Sequence, residues 1–484
     1  MKQASTQTVC LLNNMLCKQY LHRMPALRQF YNREREISRI RSALDRDRHQ
    51  FIVVYGRRRC GKSTLLTEKI LGPNDVYLLA PEANQEIQRA ALVQAFSPKF
   101  PELELASFSD WVKFFDYLKL ATKDPFTLVL DEFPNLVKVA PELPSILNRY
   151  VDQRENLRFN LIVCGSSQQM MRGLVLNSTA PLYGRADEIV KVEQLQAGWL
   201  AEHLRGASAA DVVTEYAIWG GVPRYWELRS RFSSLSEAVQ QLILAPTGTL
   251  REEPNRLLLD ELTDVTQSLS LLNVVANGAN RLTAVGARMQ RPASDLSRPL
   301  RRLIEMGYVK KEIPYGASPL KNRQTLYRTG DHFIRFYYDL CFTWLARLVP
   351  GAEATAWAAI EERLSQFVGQ AWEELSRHAV VFHPELKGRF LLPQRWWGTG
   401  SNRKPLEVDF VTESIDGNSL LIGECKWSDI SSAETLHRAL VEKAKQLPFY
   451  KSQQIITVVA ARSIKEPAGG ITMEPEQVLE LLKG

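Results

Sequence analysis

Residues 51–66 read FIVVYGRRRCGKSTLL, and no other stretch restricts the fold as much. An apolar run with strand character (Phe51–Tyr55) opens directly into G-x-x-x-x-G-K-S (Gly56–Ser63), and a helical pattern follows. A strand, a tight loop and a helix in that order place the chain in a parallel α/β architecture, with its ligand at the strand C-termini. The glycines let the backbone curl round phosphates, and the amides at the helix N-terminus point at them. Gly56, Arg57, Arg58, Arg59, Cys60, Gly61, Lys62, Ser63 and Thr64 are therefore the expected ATP-binding positions. Lys62 is expected to reach the β- and γ-phosphates and Ser63 to hold Mg²⁺.

Two further buried strands supply the rest of such a site. FTLVLDEFPNL (Phe126–Leu136) ends its apolar run in Asp131, a second Mg²⁺ ligand, and Glu132, placed to polarise the attacking water. FNLIVCGSS ends at Ser166 and Ser167, where a polar residue would sense the γ-phosphate; the plainer reading is a cap on the next helix.

The 484 residues are 45% hydrophobic and 24% charged, an ordinary globular balance sized for roughly three domains at about 150 residues each. Six scattered cysteines without CxxC or Cys/His spacing fit a reduced, cytoplasmic protein and exclude a zinc module. No apolar run is long enough to span a bilayer, so no membrane partner is expected. Residues 1–27 differ in texture from the rest of the chain and are set aside as an N-terminal extension.

FYNREREISRI, YGRRRCGKST, LVLDEFPNL, CGSS, APLYGR and WGGVPRYW occur in the order found in the archaeal-type ATPases, and the chain resembles that family, in the AAA+/STAND branch of P-loop NTPases, from about residue 28 on. The resemblance implies that Asn32, Arg33 and Glu34 lie near the adenine and that Arg185 sits on the γ-phosphate side. It also implies that Gly220, Gly221 and Pro223 belong to the lid of a small helical subdomain. A surface charge and a simple turn are the plainer readings of Arg185 and of Gly-Gly-x-Pro.

Residues 265–328 have the rhythm helix, short helix, longer helix, hairpin, which reads as a winged helix. Between Ala279 and Thr329 eleven basic residues face three acidic ones, a local balance of +8 that exceeds the +7 of the whole chain. Arg298, Arg301, Arg302, Lys310 and Lys311 are the expected DNA contacts, through phosphates; a lid or protein-binding surface is the alternative. Pro299 is expected to kink or shorten the third helix. The aromatic run Leu326–Leu348 reads as core.

The last third raises a different chemistry. LLIGECKW (Leu420–Trp427) puts Glu424 and Lys426 on one face of an apolar strand, where uncompensated charges cost several kcal/mol each. A turn at Asp416–Asn418 joins it to LEVDFV, so a hairpin would bring Asp409 beside them. Two carboxylates can hold Mg²⁺ or Mn²⁺, and the lysine can act on a phosphate or on water. A structural ion pair is the competing reading. The pattern looks like the PD-(D/E)xK nuclease superfamily, which implies a further acid at Glu373 and, weakly, a Q-x-x-x-Y element at Gln446 and Tyr450. By alternation Cys425 should face the core.

The expectation is an α/β protein in parts: a P-loop AAA+-like ATPase core at 28–197, a helical lid at 198–262, a winged helix at 263–330, a helical linker at 331–360 and a restriction-endonuclease-like domain at 361–484. The function expected is ATP hydrolysis coupled to a metal-dependent DNA nuclease, in defence or mobile-element biology, with DNA, a second copy or a regulatory protein as partner. A nucleotide-switched regulator whose nuclease fold only binds is the alternative, and a toxin-like effector held off by a partner is a third reading.

Overall fold

The computed structural model describes residues 30–103, 107–121, 124–153, 158–175, 177–262, 264–318 and 324–483. The expected extension, Lys321 and Arg323 lie outside them. Residues 30–33 precede the rest, and there Asn32 and Arg33 take left-handed backbone, at φ 52° and 89°.

From Glu34 on, the first sheet is built from β1 (Phe51–Tyr55), β2 (Val76–Leu79), β3 (Phe126–Asp131), β4 (Phe159–Gly165) and β5 (Glu188–Lys191). All pairings are parallel and the order is β2-β3-β4-β1-β5. β1 and β3 are buried along their whole length, which is why they read as continuous apolar runs. Phe51, Phe96, Phe126, Phe159 and Leu128 belong to one core beneath this sheet.

A run of helices from Ala197 to Leu259 follows the sheet. Helices Thr266–Ala276, Leu282–Met289 and Ala293–Glu305 then lead into an antiparallel ribbon of β6 (Val309–Glu312) and β7 (Leu326–Thr329). The third helix runs through Pro299 as one continuous element, so the proline does not shorten it there. Leu296, Leu300 and Leu303 are buried along one face and anchor it on both sides of the proline. The proline deletes one hydrogen bond, to the carbonyl of Asp295, an exposed residue whose oxygen water can serve.

In the aromatic run, Phe333, Phe336, Tyr337 and Tyr338 are buried. The 27-residue helix Glu353–Ala379 crosses the expected linker boundary at 360 and lies on a second sheet. That sheet contains β8 (Gln394–Thr399), β9 (Pro405–Glu413), β10 (Ser419–Ser432), β11 (Gln454–Glu466) and β12 (Ile471–Met473), in the order β12-β11-β10-β9-β8. β8, β9 and β10 pair antiparallel, whereas β10 with β11 and β11 with β12 are parallel. The helix Glu434–Lys445 makes the crossover between the parallel strands β10 and β11. Among the described residues no helix is long and apolar enough to cross a membrane.

Candidate functional site

The loop Gly56–Gly61 leaves the C-terminal end of β1, as the motif requires. A Cβ on Gly56 would overlap the carbonyl oxygen of Val192, so only glycine lets the loop leave the sheet there. Gly61 is left-handed, at φ 86°, and sets up the helix that starts at Lys62. The Lys62 ammonium is buried and donates to the carbonyls of Gly56 (3.0 Å) and Arg57 (3.1 Å) and to Ser166 Oγ (3.0 Å).

The ends of β3 and β4 face this lysine. Ser63 Oγ donates to Asp131 Oδ2 at 2.6 Å, the line of contact into which a Mg²⁺ ion would insert. Tyr77, on β2, donates to the same oxygen at 2.6 Å. Burial and then the Asp131 charge push this phenol well above its usual pKa, so it stays a donor. Sequence reasoning missed Tyr77 because it comes from a neighbouring strand rather than from a motif. Glu132 accepts from Ser166 Oγ (2.6 Å) and from the Ser166 amide (3.2 Å). Its backbone is left-handed, at φ 51° and ψ 44°, a conformation that costs about 1–2 kcal/mol for a residue with a Cβ. Lys62, Ser63, Asp131, Glu132 and Ser166 thus form one connected polar group at the C-terminal edge of the sheet. The set fits a nucleotide triphosphate with Mg²⁺: Ser63 and Asp131 would hold the ion, which neutralises phosphate charge, and Glu132 would take the water proton.

The other expected nucleotide contacts are placed differently. The side chains of Arg57, Arg58 and Arg59 leave the loop to pair with acids of distant segments, Arg57 in a buried site. Pro223 is buried at the start of the helix Pro223–Arg229, after a crossing so tight that a Cβ on Gly221 would overlap Leu195 O. Arg185 lies just before β5, whose start is tied to Phe51 at the N-terminal end of β1, and Arg185 Nε pairs with Asp152 at 3.1 Å. That is the end of the sheet opposite to the chain's own phosphate loop, away from the γ-phosphate position expected for it. Ser167 donates to Glu261 (3.0 Å), leaving the sensing position to Ser166.

The second polar group lies on the other sheet. The antiparallel pairing of β10 with β9 ends at Gly423 and Phe410, where β9 is irregular against β8, and just beyond it Asp409 lies close enough to feel the Glu424 charge. The Cys425 amide donates to Asp409 Oδ2 at 2.7 Å. Lys426 Nζ reaches Glu424 Oε1 at 2.7 Å, and Lys443 Nζ, from the crossover helix, reaches Oε2 at 2.7 Å. Burial, then the Glu424 charge against the help of the Cys425 amide, raises the Asp409 pKa. For Glu424 burial is opposed and outweighed by hydrogen bonds from the two lysines, so its pKa is lowered. Lys443 carries no local pattern that would have marked it; it lies 19 residues after Glu424. The half-buried Cys425 side chain turns toward Ser376 of the long helix, and Trp427 packs at a tilt against Trp372.

Glu373 lies on that long helix and is engaged by Arg395 Nε at 2.7 Å and Arg377 at 3.3 Å, although burial still raises its pKa. Among the described residues no three His, Cys, Asp or Glu side chains group as metal ligands; Glu373 is held by arginines while still feeling the Asp409 charge. Gln446 ends the crossover helix and accepts from Asn402, while the Tyr450 hydroxyl donates to Gln453 O.

In the basic segment Arg298, Arg301 and Lys311 are exposed and Arg302 is half-buried. Lys310 departs from the expected DNA-facing set, since its ammonium pairs with the Glu374 carboxylate of the long helix. Burial works against that carboxylate, but Lys310 holds its pKa far below the usual range.

A parallel five-stranded sheet with a phosphate loop, a Ser63–Asp131 contact and a glutamate on Ser166 defines a P-loop ATPase core. In agreement, residues 30–228 match the model of an ATPase domain found predominantly in Archaea, and residues 337–437 match a family of archaeal and bacterial proteins of unknown function. An uncharacterised protein of Methanocaldococcus jannaschii is 29% identical over 426 residues, 86% of this chain and 92% of its own. Among solved structures, the chain is similar to a Walker-type ATPase of Pyrococcus abyssi (17% identity, TM-score 0.47, 63% of this chain and 95% of that one). It is also similar to the ORC2 protein of Aeropyrum pernix (14% identity, TM-score 0.40, 69% and 95%).

Proposed function

We propose that the ATPase governs a metal-dependent DNA nuclease built on the second sheet. The observation that carries this reading is the juxtaposition of Asp409 and Glu424 on paired strands with Lys426 on the same strand as Glu424. Two neighbouring carboxylates suit a divalent cation, and an adjacent ammonium suits a phosphodiester. Three helices with a ribbon, read as a winged helix, would carry DNA on Arg298, Arg301, Arg302 and Lys311. A cavity of about 620 Å³ lined by Arg281, Arg328, Arg395, Trp397 and Glu407 lies between the ribbon and the second sheet and adds basic and aromatic surface beside this site.

One observation favours a second reading, a nucleotide-switched DNA- or protein-binding regulator. Both oxygens of Glu424 are already held by lysines, whose ammonium charges compete with a cation for this carboxylate. Plasmid incubated with Mg²⁺ or Mn²⁺, with and without ATP, separates the two. Cleavage that disappears in Asp409→Ala, Glu424→Ala and Lys426→Ala, with Mn²⁺ binding retained only in the last, supports the nuclease. A folded wild type that binds no Mn²⁺ by calorimetry and cuts nothing leaves the regulator.

A further inference from the structure

The three residues that follow Gly56 are all arginines, and a phosphate loop directs its backbone amides inward, so their side chains must go elsewhere. Each finds an acid far along the chain. Arg57 pairs with Asp331, donates to the Tyr225 hydroxyl at 3.0 Å, and lies 5.5 Å and 5.9 Å from the ring centres of Tyr225 and Tyr308. Arg58 Nη1 contacts both carboxylate oxygens of Asp260, at 2.7 and 2.6 Å, across 202 residues. Arg59 pairs at 2.6 Å with Glu253, which is 1% exposed and also accepts from the Tyr225 hydroxyl at 2.8 Å. Arg59 holds a left-handed φ of 68°, a conformation disfavoured for a residue with a Cβ and maintained only where surroundings fix it.

We propose that Glu253, Asp260 and Asp331 are positioning residues of the ATPase site: acting through Arg59, Arg58 and Arg57, they set the conformation of the phosphate loop and tie its nucleotide affinity to the segments after residue 250. The phosphates meet the amides of the same residues whose side chains these acids hold. A displacement of the helix Glu253–Leu259 or of the helix His332–Phe336 that Asp331 caps therefore re-aims the amides, and a bound nucleotide in turn fixes both segments. This goes beyond the nuclease reading and does not depend on it.

The test uses the full chain and the Arg58–Asp260 pair, which is partly exposed, so that its loss leaves a folded protein. Dissociation of a fluorescent ADP analogue, KM and kcat for ATP, and melting temperature are measured for Asp260→Asn, Asp260→Glu, Arg58→Ala and the Arg58→Ala/Asp260→Asn double variant. The expected result is a threefold to fivefold weakening of nucleotide affinity and rise in KM, about what one partly exposed pair is worth, in Asp260→Asn. Little change in kcat or melting is expected, with recovery in Asp260→Glu. Arg58→Ala and the double variant should match Asp260→Asn, because all three break one contact. Glu253→Gln, at the buried pair, should weaken affinity further; if it fails to fold, the Asp260 series decides. Wild-type affinity in Asp260→Asn, or an Arg58→Ala loss that adds to the Asp260→Asn change, would mean that the arginine acts on phosphate directly or that the acids are mere staples, and either overturns the proposal.

Discussion

Lys62 is satisfied by two carbonyls and a hydroxyl, three neutral acceptors that the charge of a triphosphate outcompetes. Lys62→Ala should therefore lower kcat/KM for ATP by at least about 100-fold, because the developing phosphate charge loses its partner. Glu132→Gln keeps the shape and the bonds to Ser166 but loses the base, so turnover should fall by about 100-fold or more while affinity for the fluorescent ADP analogue stays near wild type. Phosphate release and nucleotide titration together check both variants. His332 offers a separate test. Burial lowers its pKa to about 4, against the fields of Glu374 and Asp331 and with help from Arg335 and Lys310. The unfolded imidazole titrates near 6.5, so between pH 6.5 and 4 the unfolded chain holds the extra proton and folding stability falls as pH falls. His332→Gln should flatten that part of the urea-midpoint profile, removing on the order of 2–3 kcal/mol of pH dependence. A profile as steep as wild type between pH 7 and 4.5 would assign the loss to other groups.

The basic helix Ala293–Glu305 and the ribbon make their prediction as a unit. If Arg298, Arg301, Arg302 and Lys311 meet phosphates, replacing all four by Ala should lower the slope of log affinity against log salt by about 3–4, equally for unrelated DNA sequences; an unchanged slope in filter binding would move the role to protein contact. Elements of this kind were legible in the sequence because their signals are local. β1 and β3 are apolar runs closed by motif residues, and the hairpin between β9 and β10 is announced by the turn at Asp416–Asn418, which brings Asp409 near Glu424. What was illegible is the choice of partner over long separations. Nothing near Lys310 marks Glu374, nothing near Glu424 marks Lys443, and the departure of the Arg57, Arg58 and Arg59 side chains from the loop depends on acids more than 190 residues away in the chain for every pair. The boundary set at 360 failed to coincide with an element end for the opposite reason: the apolar period of Glu353–Ala379 continues smoothly through it.

At the scale of the molecule, two neighbouring residues of the long helix look in different directions. Glu374 pairs with Lys310 of the ribbon and feels His332, the residue after Asp331, which holds Arg57 of the phosphate loop. Glu373 pairs with Arg395 and Arg377 and feels Asp409. Ion pairs and adjacent residues thus lead from the phosphate loop toward the carboxylates of the second sheet, around a cavity of about 550 Å³ lined by Arg57, Tyr308, Asp331, His332, Glu374 and His378. If ATP gates cleavage, this helix is the physical route, and the Lys310–Glu374 pair is the place to cut it. The pair is partly exposed, so its loss should cost no more than about 1 kcal/mol, and the variant that removes both charges together is Lys310→Met with Glu374→Gln. It should hydrolyse ATP at the wild-type rate, because Lys62, Asp131 and Glu132 are untouched. Its plasmid cleavage, measured with and without ATP, should lose most of the ATP-dependent ratio seen in wild type. A folded double variant that keeps the full ratio would show that the two sites communicate by another path, and would leave the Lys310–Glu374 pair with a purely structural role.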